Sequence, residues 1–387
     1  MRLSSDDLPM FFDAAHGAVA DRLRAAAPRL AEVETLVTGG DDRMRDRAAA
    51  DALAQLGLFE LVVPTGAGAP KLDTRGLCLA REMFGYVSAR ADSIFAVQGL
   101  GTHPIALAGS VEQRQHLLSF ARGVGIAAFA LTEPEAGSDV AAIATRATPT
   151  ADGFRLDGDK LFISNLGIAD HATVIATTDP SRAGAGLTAF WVPLDTPGVT
   201  IRPLTAISPH PIGALELRGV TIPASARIGE DGQGMKLALA TLDAFRVTVG
   251  AAAVGMARRA LDETLAFVTV RKQFGKPLSE QPLVQAHLAD MVLDLDTARL
   301  LVLRAAYAKD TTSARVTTEV SIAKLGATEA AQRVIDRAVQ LFGGRGVMAG
   351  AIVEHLYRAI RPLRIYEGTS EIQRTIIGRA LSRREPT

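Results

Sequence analysis

GFRLDGDKLFISN (Gly153–Asn165), HATVIATT (His171–Thr178), LTAFWVPL (Leu187–Leu194), GVTIRPL (Gly198–Leu204) and ALELRGVTIP (Ala214–Pro223) are the stretches that decide the fold. Each is a short run of Val, Ile, Thr, Leu or Phe with period-2 character, and turn residues lie between the runs. Runs of this kind read as a compact antiparallel β domain, a sandwich or a barrel. Nine of the 18 prolines fall between Pro134 and Pro223. Proline is costly inside helices and central strands and marks turns and edges, so its crowding here agrees with many short strands. The middle third is therefore β.

On both sides the pattern changes. No proline occurs from Gly234 to Lys276 or from Leu283 to Arg361. Apolar residues there step at i, i+3, i+4 through Leu261, Leu265 and Val268, and again through Leu288, Met291, Val292, Leu295, Ala298 and Val302, the stripe of long helices. Residues 1–122 also read as helical, most clearly in Ala48–Leu58, Leu77–Tyr86 and Val111–Ala121, with loops such as PTGAGAP from Pro64. The expected class is α+β multidomain, with a helical N-terminal domain (1–122), a small middle β-barrel or sandwich (123–232) and a C-terminal helical domain (233–387).

Composition narrows the function. The chain has 387 residues, with 42 Lys+Arg against 42 Asp+Glu and 48% apolar residues. That is enough apolar material for real cores, and the zero net charge offers no bulk attraction to phosphate backbones. Nucleic acid is not expected as a partner. A lone Cys78, set in the apolar run LCLA, excludes an internal disulfide and reads as a small buried hydrophobe. No run of about 18 uncharged apolar residues suggests a membrane span, and MRLSSDDLPM at the start is too acidic and polar for a leader, so a cytoplasmic protein is expected. The seven histidines show no HExxH or paired Cys/His spacing, so no metal is expected. GVGIAA at Gly123 fits a dinucleotide fingerprint, but a helix-like segment precedes it where a strand is required.

Five segments carry chemistry. FALTEPEAGSDV (Phe129–Val140) gathers Thr132, Glu133, Ser138 and Asp139 around Pro134 and Gly137, a polar loop able to offer N–H and hydroxyl donors to a ligand. KLFISN (Lys160–Asn165) places Phe162 and Ser164 two apart on an expected strand, hence on one face, where a ring and a hydroxyl suit a planar ligand. RKQFGKPL (Arg271–Leu278) closes a long helix with Arg271 and Lys272 near its negative end and Gly275 and Pro277 as stops. QLFGGRGV (Gln340–Val347) breaks a helical run at Gly343 and Gly344, which permits close backbone approach. IYEGTSEIQR (Ile365–Arg374) sets Glu367 between an aromatic and Gly368, with Thr369 able to cap a following helix. Against apolar neighbours such a carboxylate would have its pKa raised, as a general base near neutral pH requires. Taken singly, each segment also has an ordinary reading as a turn, a cap or core packing.

Together, in this order and at these separations, TEPEAGSD, FISN, RKQFGKPL, QLFGG and IYEGTS resemble the acyl-CoA dehydrogenase family of flavoproteins, from about Leu53 to Leu381. The resemblance implies a helical N-terminal domain, a small β domain and a C-terminal four-helix bundle, with FAD as the cofactor. It assigns Phe129, Leu131, Thr132, Ser138, Phe162 and Ser164 to the flavin, with Ser138 also near the substrate thioester. Arg271 and Phe274 would reach the FAD of a neighbouring subunit, and Gln340, Gly343 and Gly344 its adenosine diphosphate, implying a homodimer or a homotetramer built from dimers. Thr369 and Glu371 would close the cofactor site, while Asp243, Arg246 and Gly368 would serve the acyl-CoA substrate. Glu367 matches the catalytic base, which takes the α-proton while hydride leaves the β-carbon for flavin N5, with electrons passing on to an electron-transfer flavoprotein. The thioester carbonyl would be polarised by the Glu367 backbone N–H and a flavin ribityl hydroxyl.

Departures from the family pattern qualify the substrate. Pro282 stands where a Gln is usual, beside Gln281, and AISPHPIGALEL (Ala206–Leu217) carries an unusual His210 between prolines, read as a rigid surface turn. FAVQGLGTHPIALAGS (Phe95–Ser110) is short, which favours a short, branched or cyclic acyl chain. Asp92 lies about where glutaryl-specific members place an Arg, so a second carboxylate is disfavoured there; it reads either as a second acid/base group or as a helix-surface carboxylate. An acyl carrier protein thioester as substrate and a non-catalytic, DNA-associated flavoprotein are the competing functions. Arg358, Arg361 and Arg364 recur every three residues, as a redox-partner docking strip or a solvated helix end.

Overall fold

Eight strands between Ala127 and Ile228 form the sheet that the middle window foretold. In the computed structural model, which describes residues 8–36, 41–66, 72–208 and 210–382, these are β1 (Ala127–Ala130), β2 (Arg146–Pro149), β3 (Gly153–Ser164), β4 (His171–Thr177), β5 (Leu187–Pro193), β6 (Val199–Pro203), β7 (Ile212–Pro223) and β8 (Arg227–Ile228). Most of PTGAGAP, and Pro209 of the His210 segment, lie outside the described residues. The strand order is β6-β7-β3-β2-β4-β5-β8, with β1 added beside β4. The expectation of a purely antiparallel sheet needs correction: β1 pairs with β4 in parallel from Ala127↔His171 to Ala130↔Val174, and β2 meets β4 in parallel at Arg146↔Thr177. The remaining pairings are antiparallel, the longest joining β3 and β7 from Gly153↔Pro223 to Ser164↔Ile212.

The helices are α1 (Ala14–Leu36), α2 (Asp42–Gln55), α3 (Thr74–Val87), α4 (Ala89–Ala108), α5 (Val111–Gln115), α6 (Leu117–Ala121), α7 (Gly234–Val270), α8 (Pro282–Thr311), α9 (Thr317–Phe342), α10 (Ile352–Ile360) and α11 (Ser370–Ser382). The α, β, α order read from the sequence holds. Proline is less strict a guide than assumed, since Pro28 lies inside α1 and Pro104 inside α4. Pro282 opens α8 at its first turn, where a missing N–H costs nothing. By length and composition α7 suffices to cross a membrane, but most of it is buried inside the protein.

The chain forms two compact units, one of residues 29–72 and 90–245, the other of residues 1–28, 73–89 and 246–387. In the first, alternate residues of the sheet, among them Phe154, Leu156, Val174, Phe190, Val192, Leu215 and Leu217, build the core. Phe154 meets Phe190 edge to face at 4.9 Å between centroids. In the second, α3, α7, α8, α9 and α10 share a core of small and branched residues. The crossing of α3 and α7 depends on glycine. A Cβ at Gly85 on α3 would lie 2.2 Å from the Ala252 carbonyl of α7, and one at Gly255 on α7 would lie 2.0 Å from the Glu82 carbonyl. Neither position admits alanine without separating the helices.

Candidate active site

In the β unit the polar loop continues directly from β1. Phe129 and Leu131 are buried, Thr132 is half-buried and Ser138 is exposed. Two backbone carbonyls of this loop are bound by β3: the Leu161 amide donates to the Thr132 carbonyl at 2.9 Å, and Lys160 Nζ donates to the Leu131 carbonyl at 3.1 Å. Lys160 also meets Glu133 Oε1 at 2.7 Å, and Glu133 accepts from the Ala144 and Thr145 amides. Burial pushes Glu133 up, but the Lys160 charge and these donors outweigh it and hold the carboxyl below its usual range. Burial takes Lys160 down to about 8 against the pull of Glu133, so the pair is ionised at neutral pH.

The FISN segment departs from a regular strand. The register of β3 against β7 shifts between Lys160 and Ile163, and Phe162 adopts φ 58°. A bulge of this kind breaks the period-2 alternation that put Phe162 and Ser164 on one face. It presents Phe162 to solvent, 63% exposed, which rules out the core-packing explanation, while Ser164 is half-buried. Asn165, wholly buried at φ 68°, donates from Nδ2 to the Ala127 carbonyl at 3.0 Å and fixes the end of β3 beside β1. Thus Leu131, Thr132 and the FISN segment are drawn together. Asp92 is buried on α4, which removes its helix-surface reading. Asp243 is half-buried on α7. His210 is half-buried, bonded at Nδ1 to the Ser208 carbonyl at 2.9 Å, with burial lowering its pKa, so the exposed-turn reading gives way.

In the helical unit Glu367 (φ 53°) and Gly368 (φ 91°) form two successive left-handed residues. For a side chain as large as Glu this costs about 1–3 kcal/mol and persists only where the surroundings over-determine it. Three helices supply the restraint. Arg246 Nε of α7 donates to the Glu367 carbonyl at 3.2 Å, while Lys324 Nζ of α9 and Gln373 Nε2 of α11 donate to the Gly368 carbonyl at 2.8 and 2.9 Å. Thr369 caps α11 as expected, its Oγ1 accepting from the Ile372 amide at 3.3 Å. Glu371 is exposed in the first turn. The surroundings of Glu367 are less apolar than the sequence suggested, because the Lys324 ammonium feels its charge.

The other two segments share a surface. Arg271–Leu278 is a β-hairpin, not a plain helix stop: β9 (Lys272–Gln273) pairs with β10 (Lys276–Pro277), and Phe274 (φ 52°) and Gly275 (φ 78°) make its two-residue turn. Phe274 is 95% exposed. Phe267, just before the hairpin, stacks on Phe342 at 4.3 Å, and the Arg345 guanidinium lies 5.8 Å from the Phe267 ring. Arg271, Phe274, Gln340, Gly343 and Gly344 are therefore exposed on neighbouring segments. The arginine strip is partly spent, since Arg358 pairs with Glu354 and Arg364 with Glu329.

Sequence patterns of the acyl-CoA dehydrogenase N-terminal, middle and C-terminal domains match residues 5–123, 128–220 and 232–382. The chain belongs to the acyl-CoA dehydrogenase family. Family members similar to it include the probable acyl-CoA dehydrogenase FadE25 of Mycobacterium tuberculosis, 38% identical over 370 residues, covering 94% of this chain and 95% of the relative. Among solved structures, butyryl-CoA dehydrogenase of Megasphaera elsdenii is 33% identical at a TM-score of 0.84, over 94% of this chain and 98% of the other. Glutaryl-CoA dehydrogenase of Mycobacterium smegmatis in complex with FADH2 is 28% identical at a TM-score of 0.85, over 99% and 98%. The motifs alone did not reveal the roles of Lys160 and Lys324. Lys324 was nonetheless marked: Val320, Ala323, Ala327 and Ala331 surround it at helical spacing, so it falls on the buried stripe of α9.

Proposed function

We propose that the protein is an FAD-dependent dehydrogenase that converts a short, branched or cyclic acyl-CoA into its trans-2-enoyl thioester, with Glu367 as the base. The observation that carries this is the Glu367–Gly368 turn, a carboxylate on a strained backbone whose carbonyls are held by Arg246, Lys324 and Gln373. A general base must sit at a fixed place before the proton moves, and this turn provides such a place.

The β unit suits a flavin. An aromatic ring turned outward by a bulge, a neighbouring hydroxyl and a loop braced by a buried ion pair fit a flat, polar-edged ring system. Phe129, Leu131, Thr132, Ser138, Phe162 and Ser164 would hold it, and FAD supplies the hydride acceptor when bound. Arg271, Phe274, Gln340, Gly343 and Gly344 are the proposed contacts to the FAD of a second copy in a homodimer or homotetramer, in keeping with their shared exposed surface. Thr369 and Glu371 are the remaining cofactor contacts.

Glu367 removes the α-proton and its backbone N–H donates to the thioester carbonyl, which stabilises the charge that develops there. Arg246 steadies the turn through the Glu367 carbonyl, and Asp243, Gly368 and Asp92 complete the substrate residues. A short acyl group is favoured by similarity to butyryl-CoA dehydrogenase, and an electron-transfer flavoprotein is the proposed acceptor. Incubating the FAD-loaded protein with a panel of acyl-CoA thioesters and an artificial electron acceptor tests the reading: the expected product is lighter by two hydrogen atoms. Absence of any such product across the panel would refute it.

A further inference from the structure

Lysine is among the residues least often fully buried, because an ammonium withdrawn from water must be compensated. Lys324 is wholly buried on α9, and its hydrogen bond runs to the Gly368 carbonyl, one residue beyond Glu367. A methionine there would fill similar space without that desolvation, so core stability alone gives no reason for a charged group.

We propose that Lys324 is a positioning residue for the base: its ammonium clamps the Gly368 carbonyl, fixes the left-handed Glu367–Gly368 turn, and by its charge favours the ionised carboxylate of Glu367. The inference rests on the reading of Glu367 as the base. Arg246, Gln373 and Lys324 all clamp the turn, Lys324 from α9. Gln373, which shares the Gly368 carbonyl, is neutral, and Arg246 acts on the Glu367 carbonyl.

The charges around Lys324 assign its electrostatic partner. Glu367 from the turn, Arg246 from α7, Glu329 from α9 and Glu371 from α11 all act on it, Glu367 most strongly. Glu329 is already engaged by Ser370 Oγ at 2.6 Å and Arg364 at 2.8 Å, and Glu371 is exposed. Burial pushes Lys324 down to about 8 against the pull of Glu367, which leaves it protonated at neutral pH. A cation so placed stabilises the carboxylate form of its neighbour.

The test compares FAD-loaded wild type with Lys324→Met, which removes clamp and charge, and Lys324→Gln, which keeps a donor without charge. For Lys324→Met, kcat per bound flavin should fall about tenfold or more with KM nearly unchanged. The acidic limb of its pH profile should rise by about one unit. Lys324→Gln should recover part of kcat while keeping the raised limb. Hydrogen–deuterium exchange of residues 365–373 should quicken in Lys324→Met, with the remainder of α9 unchanged. Variants that melt earlier but keep the wild-type kcat per flavin, pH limb and exchange would overturn the proposal, leaving Lys324 a packing residue. If the wild type itself dehydrogenates no acyl-CoA, the reading of Glu367 falls separately. The exchange measurement then still decides the clamp: faster exchange confined to the turn upholds it, and unchanged exchange rejects it.

Discussion

The polar loop after β1 and the Glu367 turn are held by the same device, a fully buried lysine donating to a backbone carbonyl, yet the two lysines are neutralised differently. Lys160 binds the Leu131 carbonyl and meets Glu133 directly, and Glu133 is completed by two further amides. The ion pair is closed on itself, and its product is a rigid loop. Lys324 binds the Gly368 carbonyl, and its strongest opposite charge belongs to the residue that we propose does the chemistry. One lysine serves shape alone; the other ties shape to the charge of the base.

Substitutions can break that contrast. The largest effect is expected from Glu367→Gln, which should keep bound FAD yet lose about 10²–10⁴-fold or more in turnover, read as the rate of anaerobic flavin bleaching by butyryl-CoA. Lys160→Met leaves Glu133 buried without its cation, a loss of about 3–5 kcal/mol. Denaturant melts should show that loss together with a lower flavin-to-protein ratio, because the braced loop is the proposed flavin platform. Gly368→Ala would set a Cβ 2.6 Å from Gln373 Nε2 at φ 91°. A cost of about 1–3 kcal/mol follows, with a fall in kcat larger than the fall in flavin content.

The smallest effect sharpens the comparison through pH. The folded pKa of Lys324, about 8, lies below the ordinary 10.5. The unfolded chain therefore holds more protons between these values, and stability rises with pH across that window. The stability of wild type relative to Lys324→Met should improve as pH rises from about 8 to 10.5, measured as denaturant midpoints. A difference that stays flat would mean that folding does not lower the Lys324 pKa.

Much of this was legible in the sequence, and the rest was hidden for physical reasons. Proline crowding and period-2 runs located the sheet because strands need their backbone donors, and the i, i+3, i+4 stripes located α7 and α8. The parallel pairing of β1 with β4 was not legible, since it joins segments more than forty residues apart and leaves no local pattern. The bulge at Phe162 was hidden as well, because an extra residue in one strand is defined only against its partner. Phe274 was named from its motif, yet its place in a hairpin turn was unexpected, as turns of that kind favour Asn and Gly. The buried lysines were the main omission. Lys160 shares the inward parity of Phe154 and Leu156, so the pattern carried a signal that the usual reading of lysine as a surface residue concealed.

The most direct test of the central claim is the visible spectrum of the FAD-loaded protein mixed anaerobically with short, branched and cyclic acyl-CoAs. At least one of them should bleach the flavin band within a single turnover, and the same thioester should leave the band of Glu367→Gln unbleached on that timescale. Bleaching at the wild-type rate in the Glu367→Gln protein, or a bound flavin that no acyl-CoA reduces, would contradict it.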